Sequence, residues 1–306
     1  MTIVLAGATG LIGRRIIQRL VETQNEVAVL TRNPSQRTGL STAPIRFVQW
    51  DARTPGDWCT QLKGADAVIN LSGESIGGKR WTPAQKRLIL SSRIDATNAI
   101  VDAIGASRRK PQVLVNASAV GYYGETGDEE VLESHPSGND FLAYVCRQWE
   151  SAARAAERYG VRVVLPRSGV VLDRHAGALK KLLLPFRLFV GGPLGSGRQW
   201  FPWIHLEDEV GAILFAIESP AMTGPVNVVA PELVTMREFS SALGRALKRP
   251  SWAPVPAFLL KIALGEMSDM VLKGQRTIPR RLLDAGYRFR FPRLDEALLD
   301  LLKDQN

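Results

Sequence analysis

Seven residues near the amino terminus, Gly7-Ala-Thr-Gly10-Leu-Ile-Gly13, constrain the fold of this 306-residue chain more than any other feature. They follow a short run of apolar strand formers, Thr2-Ile-Val-Leu-Ala6, and open a segment, Ile12–Glu22, whose apolar residues recur at helical spacing. Glycines placed this way let the chain turn sharply, let its backbone approach a bound group, and let the helix pack closely on the strand. The start of such a helix presents free N–H groups and the positive end of its dipole, which suits a pyrophosphate. A glycine-rich loop alone is common. Set inside a strand–helix–strand unit, it predicts a dinucleotide site made by Gly7, Thr9, Gly10, Leu11, Ile12 and Gly13.

The rest of the first half keeps the same rhythm. Strands are predicted at Ile3–Leu5, Val27–Leu30, Ile45–Gln49, Ala67–Leu71, Gln112–Asn116 and Val161–Leu165, with helices at Pro83–Ile104 and Gly138–Tyr159 between the later ones. Alternation of this kind predicts an α/β fold, a doubly wound parallel sheet of Rossmann type. Beyond Arg167 glycine- and proline-rich loops take over, the clearest being Gly191–Gly197. Leu206–Ile217 then reads as a helix and Val226–Val229 as a last core strand. We expect a dinucleotide-binding domain over residues 1–170, rejoined by 205–230, and a smaller, mainly helical substrate-side domain from 171–204 and 231–306.

In an open α/β sheet the ligand crevice lies outside the carboxyl ends of the strands, so the residues at those ends are the candidates. Strand two ends in Thr31-Arg32-Asn33 rather than in the acidic residue that would bind a ribose 2′-hydroxyl. Arg32, with Arg14 behind it, suits a 2′-phosphate and favours NADP(H) over NAD(H), the other reading being an exposed loop charge. Asp51 after strand three is placed to accept from an adenine amino group, and Leu71, Ser72, Gly73 and Glu74 after strand four form an edge of small residues for the cofactor to lie over. Pro166 and Arg167 close strand six, where a backbone contact to the nicotinamide amide is expected and Arg167 could hold an anionic substrate group.

Composition narrows the classes. The formal charge is +9, but the cations are dispersed, without the basic stripe and interleaved aromatics that nucleic-acid recognition needs. Two cysteines, Cys59 and Cys146, cannot make a disulfide framework, and no Cys/His spacing suggests a metal. The first strand begins directly after Met1, so a cytoplasmic protein without a leader is expected. No apolar run reaches the ~20 residues of a membrane-spanning helix, so no membrane insertion is expected.

GATGLIG, NLSGESI with KRW and SSR, NASAVGYYG, FLAYVCRQWE, LPRSGVVL, GSGRQW…WIHLEDEV and GE…LKGQRTIP…LLDAGYRFRFP together resemble the atypical short-chain dehydrogenase/reductases of the nucleotide-sugar-epimerase-like (NAD-dependent epimerase/dehydratase-like) family, over essentially the whole chain. The resemblance implies an extended-reductase architecture, an NADP(H)-type cofactor, a small-molecule substrate of unknown identity and, by analogy with the fold, a homodimer through the two long helices. In better-understood members a serine or threonine after strand five polarises the substrate, and a Tyr-x-x-x-Lys pair on the next helix transfers the proton.

Here that helix, FLAYVCRQWE, has no lysine. Anchored on Glu150, the tyrosine position falls on Leu142 and the lysine position on Cys146. Shifting the register to Tyr144 puts Gln148 four residues on, which cannot lower a phenol pKa. The strand-five exit is better furnished. Ser118 stands where the polarising hydroxyl belongs, and Tyr122 or Tyr123 could donate a proton from another direction, with Glu74 or Arg167 as partner; both rings could equally just wall the pocket. The Gly191–Gly197 run reads as a mobile lid that brings Arg198, Trp200 and Trp203 to the substrate, and His205 as a structural histidine. Two functions stay open: an NADPH-dependent oxidoreductase or epimerase-like enzyme whose chemistry has moved to the strand-five loop, and a non-catalytic NADPH-sensing or scaffolding protein.

Overall fold

In the computed structural model, residues 1–34 and 45–303 are described. Five strands come first: β1 (Thr2–Ala6), β2 (Glu26–Thr31), β3 (Ile45–Gln49), β4 (Ala67–Asn70) and β5 (Val113–Asn116). Further along the chain come β6 (Ser118–Ala119), β7 (Glu130–Val131), β8 (Arg162–Ser168), β9 (Val170–Leu172), β10 (Trp203–His205), β11 (Gly224–Val228) and β12 (Arg276–Thr277). The main sheet is wholly parallel, in the order β11-β8-β5-β4-β1-β2-β3, with β6 added beside β8. Strands buried on both faces explain the near-continuous β-branched runs. The period of two is visible in β1, whose Ile3 and Leu5 enter the core beneath helices α1 (Leu11–Glu22) and α5 (Leu206–Glu218). Val4 and Ala6 enter the opposite core, beneath α2 (Pro83–Ala106) and α3 (Phe141–Arg154).

The chain runs from β1 outward to β2 and β3, then returns to place β4 on the other side of β1. This reversal between β1 and β4 opens a crevice at the carboxyl edge, directly over the Gly7–Gly13 loop.

A separate cluster is built by β9, β10, α4 (Gly177–Arg187), α6 (Met236–Leu247) and α10 (Leu294–Leu302), packed around Leu183, Phe186, Trp203, Phe239 and Leu298. The remaining helices are α7 (Ala257–Leu264), α8 (Asp269–Leu272) and α9 (Arg280–Asp284). The carboxyl-terminal segment crosses between the two cores: Leu282, Tyr287 and Phe289 pack on the main sheet's side. The helix expected over Gly138–Tyr159 is shorter. It begins at Phe141 under the Asp140 cap, whose carboxylate accepts from Ala143 N at 2.8 Å, and gives way to a 3₁₀ turn over Ala155–Tyr159.

The Gly191–Gly197 run is a packed seam and not a free lid. A Cβ on Gly191 would lie 2.4 Å from the Phe186 ring, one on Gly192 2.3 Å from Ala253 O, and one on Gly195 2.6 Å from Leu272. Gly195 N also donates to Val255 O at 2.9 Å, and Gln199 Nε2 to Leu194 O and Val271 O. These glycines answer to close packing, which glycine-rich composition does not distinguish from mobility.

Candidate functional site

The three loop glycines do different jobs. Gly7 has φ +82°, and a Cβ there would lie 2.5 Å from the Leu71 carbonyl carbon, so the turn and the approach of β4 both demand glycine. At Gly13 a Cβ would come 2.5 Å from Gly7 O and 2.6 Å from Ala8 Cα, so the helix can sit on the loop only without a side chain. Gly10 is different. Its φ is −74°, and the only atom near a Cβ would be Gly7 O at 3.5 Å. Nothing in the protein requires glycine there, whereas a ligand pressed against the loop would.

Two further observations fit a phosphate-bearing ligand at this edge. Helix α1 begins without a capping side chain or an acidic residue in its first turn, leaving its N–H groups and dipole for an anion. Thr9 and Gly10 are exposed, and Leu11 and Ile12 half-buried. At the exit of β4, Ser72 Oγ is buried yet without a hydrogen-bond partner among the described residues, an arrangement that costs stability unless a ligand or water completes it.

The β4 exit is held rigidly. Asn70 Nδ2 donates to Asn116 Oδ1 (2.7 Å) and Thr97 Oγ1 (3.0 Å), Trp149 Nε1 donates to the same Thr97 hydroxyl (3.1 Å), and Asn70 Oδ1 accepts from Ser72 N (3.1 Å). This buried network ties β4, β5, α2 and α3 together. It fixes the path of Leu71, Ser72, Gly73 and Glu74, whose N–H donates to Ser92 Oγ.

Arg32 is exposed at the end of β2, with Arg14 exposed on α1. Asp51 is exposed after β3. Hydrogen bonds from the Thr54 hydroxyl and from the Thr54 and Arg53 N–H groups pull its carboxyl down to about 2, so it is a permanent carboxylate.

At the strand-five exit the expected residues meet, in an arrangement the sequence did not reveal. Ser118 Oγ donates to Glu150 Oε1 at 2.7 Å. Arg167 grips the same carboxylate with Nε (2.8 Å) and Nη2 (2.9 Å), while its Nη1 donates to Tyr123 OH (2.9 Å) and Glu133 O (3.1 Å). Tyr123 OH in turn donates to Asn227 Oδ1 at 2.5 Å, and the guanidinium stacks 3.4 Å from the Tyr122 ring.

Ser118, Glu150, Arg167 and Tyr123 are all buried. Burial pushes the Tyr123 phenol up to about 12. For Arg167 burial works downward, but the hydrogen bonds and charge of Glu150 outweigh it and hold the guanidinium above its ordinary value. The expectation that Arg167 holds an anionic substrate group is corrected: each of its three nitrogens is already bonded within the chain. Pro166 is buried beside it in β8, paired with Val226 of β11.

Cys146, at the expected lysine position on α3, is buried and pushed up to about 12 by burial, which leaves it a thiol. Tyr144 is on the exposed side of the same helix. His205 is structural: it caps α5 by accepting from Glu207 N at 3.0 Å, its ring lies 4.0 Å from Phe291, and burial lowers its pKa. Trp203 is buried in β10. Trp200 donates to Asp128 at 2.9 Å and carries Arg276 over its ring, and Arg198 is exposed.

One residue went unassigned. Arg93 of α2 lies against the β4 exit: a Cβ on Gly73 would be 2.9 Å from its guanidinium carbon. Its Nη1 donates to Glu74 O (3.0 Å) and Ile89 O (2.9 Å), and the guanidinium sits 5.0 Å from the Trp149 ring centre, beside the α3 turn that carries Cys146. Burial lowers its pKa, and no carboxylate bonds to it among the described residues. The signal was present in the helix period, because Arg93 shares the inward face with Ile89, Ala96, Thr97 and Ile100, where a cation is out of place.

Comparison with known proteins agrees with this geometry. A profile of the NAD dependent epimerase/dehydratase family matches residues 3–229, about three quarters of the chain, and one of a domain of unknown function, DUF1731, matches residues 255–301. The chain belongs to the NAD dependent epimerase/dehydratase family. It is 43% identical over 305 residues to the chloroplastic epimerase family protein SDR39U1 homolog of Arabidopsis thaliana, covering 99% of this chain and 87% of that protein. Against epimerase family protein YfhF of Bacillus subtilis it is 39% identical, covering 100% and 99%. Among solved structures, human epimerase family protein SDR39U1 (isoform 2), crystallised with NADPH, superposes with a TM-score of 0.88 at 35% identity, covering 99% of this chain and all of that one. A UDP-galactose 4-epimerase superposes with a TM-score of 0.74 at 18% identity, which speaks for the shared fold.

Proposed function

We propose that the chain binds NADP(H) along the carboxyl edge of the sheet and works as an oxidoreductase or epimerase-like enzyme on a small molecule. The observation that carries the cofactor reading is Gly10, a glycine the protein's own packing does not need. In this reading the first turn of α1 takes the pyrophosphate, Arg32 the 2′-phosphate, Asp51 the adenine amino group, and Leu71–Glu74 the backbone of the dinucleotide. The human relative crystallised with NADPH supports an NADP(H)-type cofactor. Arg93 takes over the duty of the missing lysine by presenting a cation beside Gly73 to the nicotinamide ribose. The cofactor supplies the hydride chemistry, and the protein supplies position and a proton route.

For that proton route Tyr122 is favoured over Tyr123, because its ring is half-buried whereas Tyr123 is sealed and donates to Asn227. Ser118 acts as an acceptor held by Glu150, or as a donor once Arg167 alone satisfies that carboxylate. The second reading, an NADPH sensor, is favoured by one observation: Ser118, Tyr123 and Arg167 are consumed by a buried network. NADPH oxidation with quinones, aldehydes, ketones and nucleotide sugars separates the two. Turnover that falls in Tyr122→Phe and Ser118→Ala at unchanged NADPH affinity supports the enzyme, and tight binding without turnover of any compound supports the sensor.

A further inference from the structure

We propose that the outer face formed by α4, the turn after it, Trp252 and α7 docks on an anionic lipid surface. Among the described residues fourteen large apolar side chains are exposed, and eight of them fall in two short stretches. Leu184, Leu188, Phe189 and Val190 end α4 and the turn after it, while Trp252, Phe258, Leu259 and Ile262 lead into and line α7. The two stretches are one surface. Trp252 Nε1 donates to Phe189 O at 2.9 Å, Trp252 N to Gly191 O at 3.0 Å, and Arg249 stacks 4.4 Å over the Phe189 ring. Helix α7, AFLLKIAL, has no buried residue at all. An apolar eight-residue helix is marginal by itself in water, so a face like this calls for a partner.

Charge identifies the partner. Lys180 and Lys181 stand between Gly177 and Gly197, and Lys248, Arg249 and Lys261 between Lys248 and Gly265, with no aspartate or glutamate in either stretch. Five cations and eight apolar side chains complement a surface of anionic headgroups over hydrocarbon. The aromatic side chains and the aliphatic stems of lysine suit the interfacial depth. A second copy fits badly, because a two-fold contact brings the same cations against one another. No helix among the described residues is long and apolar enough to cross a membrane, so the contact lies on the surface. The face also adjoins the cofactor edge: Lys181 Nζ bonds Gly77 O, and Arg80 reaches Ile262 O, both from the loop that leaves β4.

The test is flotation of the purified chain with phosphatidylcholine vesicles and with mixed phosphatidylcholine–phosphatidylglycerol vesicles, together with tryptophan emission of the parent and of Trp252→Phe. Binding to the mixed vesicles alone is expected, weakening as salt shortens the Debye length from about 10 Å at 0.1 M to about 3 Å at 1 M. A blue shift absent in Trp252→Phe is expected with it. The double variants Phe258→Ser/Ile262→Ser and Lys248→Glu/Lys261→Glu, all at exposed positions, should lose binding at least about tenfold, with melting temperature and NADPH affinity unchanged. Absence of flotation, equal binding to both vesicle types, or binding that survives both double variants overturns the proposal. So does a concentration-dependent dimer in sedimentation that Ile262→Ser dissolves.

Discussion

Gly10 and Gly13 stand three residues apart in one loop, yet their replacement by alanine should have opposite effects on stability. At Gly10 the backbone is already in a region open to any residue, and the added Cβ makes one contact of 3.5 Å. Alanine there removes freedom from the unfolded chain and should stabilise the fold by about 0.4–1 kcal/mol. At Gly13 the Cβ would meet two backbone atoms within 2.6 Å, so α1 must lift from the loop. Overpacking of that kind costs about 1–3 kcal/mol. With roughly 2–4 °C per kcal/mol for a chain of this size, Gly13→Ala should melt several degrees below the parent and Gly10→Ala slightly above it.

Binding should separate them the other way. The better-folded Gly10→Ala fills the space reserved for the pyrophosphate and should lose NADPH affinity at least about tenfold, equivalent to 1.4 kcal/mol, and Gly10→Val should lose it almost entirely. Differential scanning calorimetry and fluorescence titration read the two effects independently. A Gly10→Ala protein that binds NADPH like the parent would refute the cradle, and a Gly13→Ala protein as stable as the parent would refute the steric argument.

Other consequences follow from the same contacts. Arg32→Glu should weaken NADPH far more than NADH, since only the former carries a 2′-phosphate; equal losses by titration would remove Arg32 from the site. Glu150→Ala leaves Arg167 buried without its carboxylate and should cost about 3–5 kcal/mol in urea unfolding; a loss below 1 kcal/mol would mean that the pair is not buried as described. Glu209 is fully buried on α5, accepts from Ser168 Oγ at 2.6 Å, and is raised by burial from 4.5 to about 7. Because the folded state holds the proton more tightly, its contribution is complete below pH 4.5 and is lost as pH rises through 7, about 3 kcal/mol in all. Stability of the parent should therefore decline relative to Glu209→Gln between pH 4.5 and 7, and parallel curves would show that the carboxyl ionises freely.

The sheet was legible in the sequence because its strands are short, β-branched and fully buried; the predicted Ile45–Gln49 matches β3 residue for residue, and the others shift by one to three residues at an end. The glycine loop was legible because Gly7 and Gly13 each meet a backbone constraint that only glycine satisfies. The site beyond it was less so. Ser118, the Tyr122–Tyr123 pair and Arg167 were singled out from their places at the strand ends, but Glu150, which joins Ser118 to Arg167, and Asn227, which takes the Tyr123 hydroxyl, arrive from α3 and β11, distant in sequence. The Gly191–Gly197 run misled because close packing against Phe186 and Ala253 selects the same residue as mobility does. Arg93 was overlooked because an arginine inside a long helix reads as a surface charge until the helix period is followed through Ile89, Ala96 and Ile100.

The most direct test of the central claim is a titration of the unmodified protein with NADPH and with NADH, each competed with 2′-phosphoadenosine 5′-phosphate, repeated with Arg93→Met. One saturable site per chain that prefers NADPH by at least about tenfold, with Arg93→Met weakening NADPH but leaving the adenine-half fragment unaffected, is the predicted result. Failure of the parent to bind either nucleotide saturably would contradict the dinucleotide site itself, and an Arg93→Met protein with unchanged NADPH affinity would contradict only the assignment of its cation to the nicotinamide ribose.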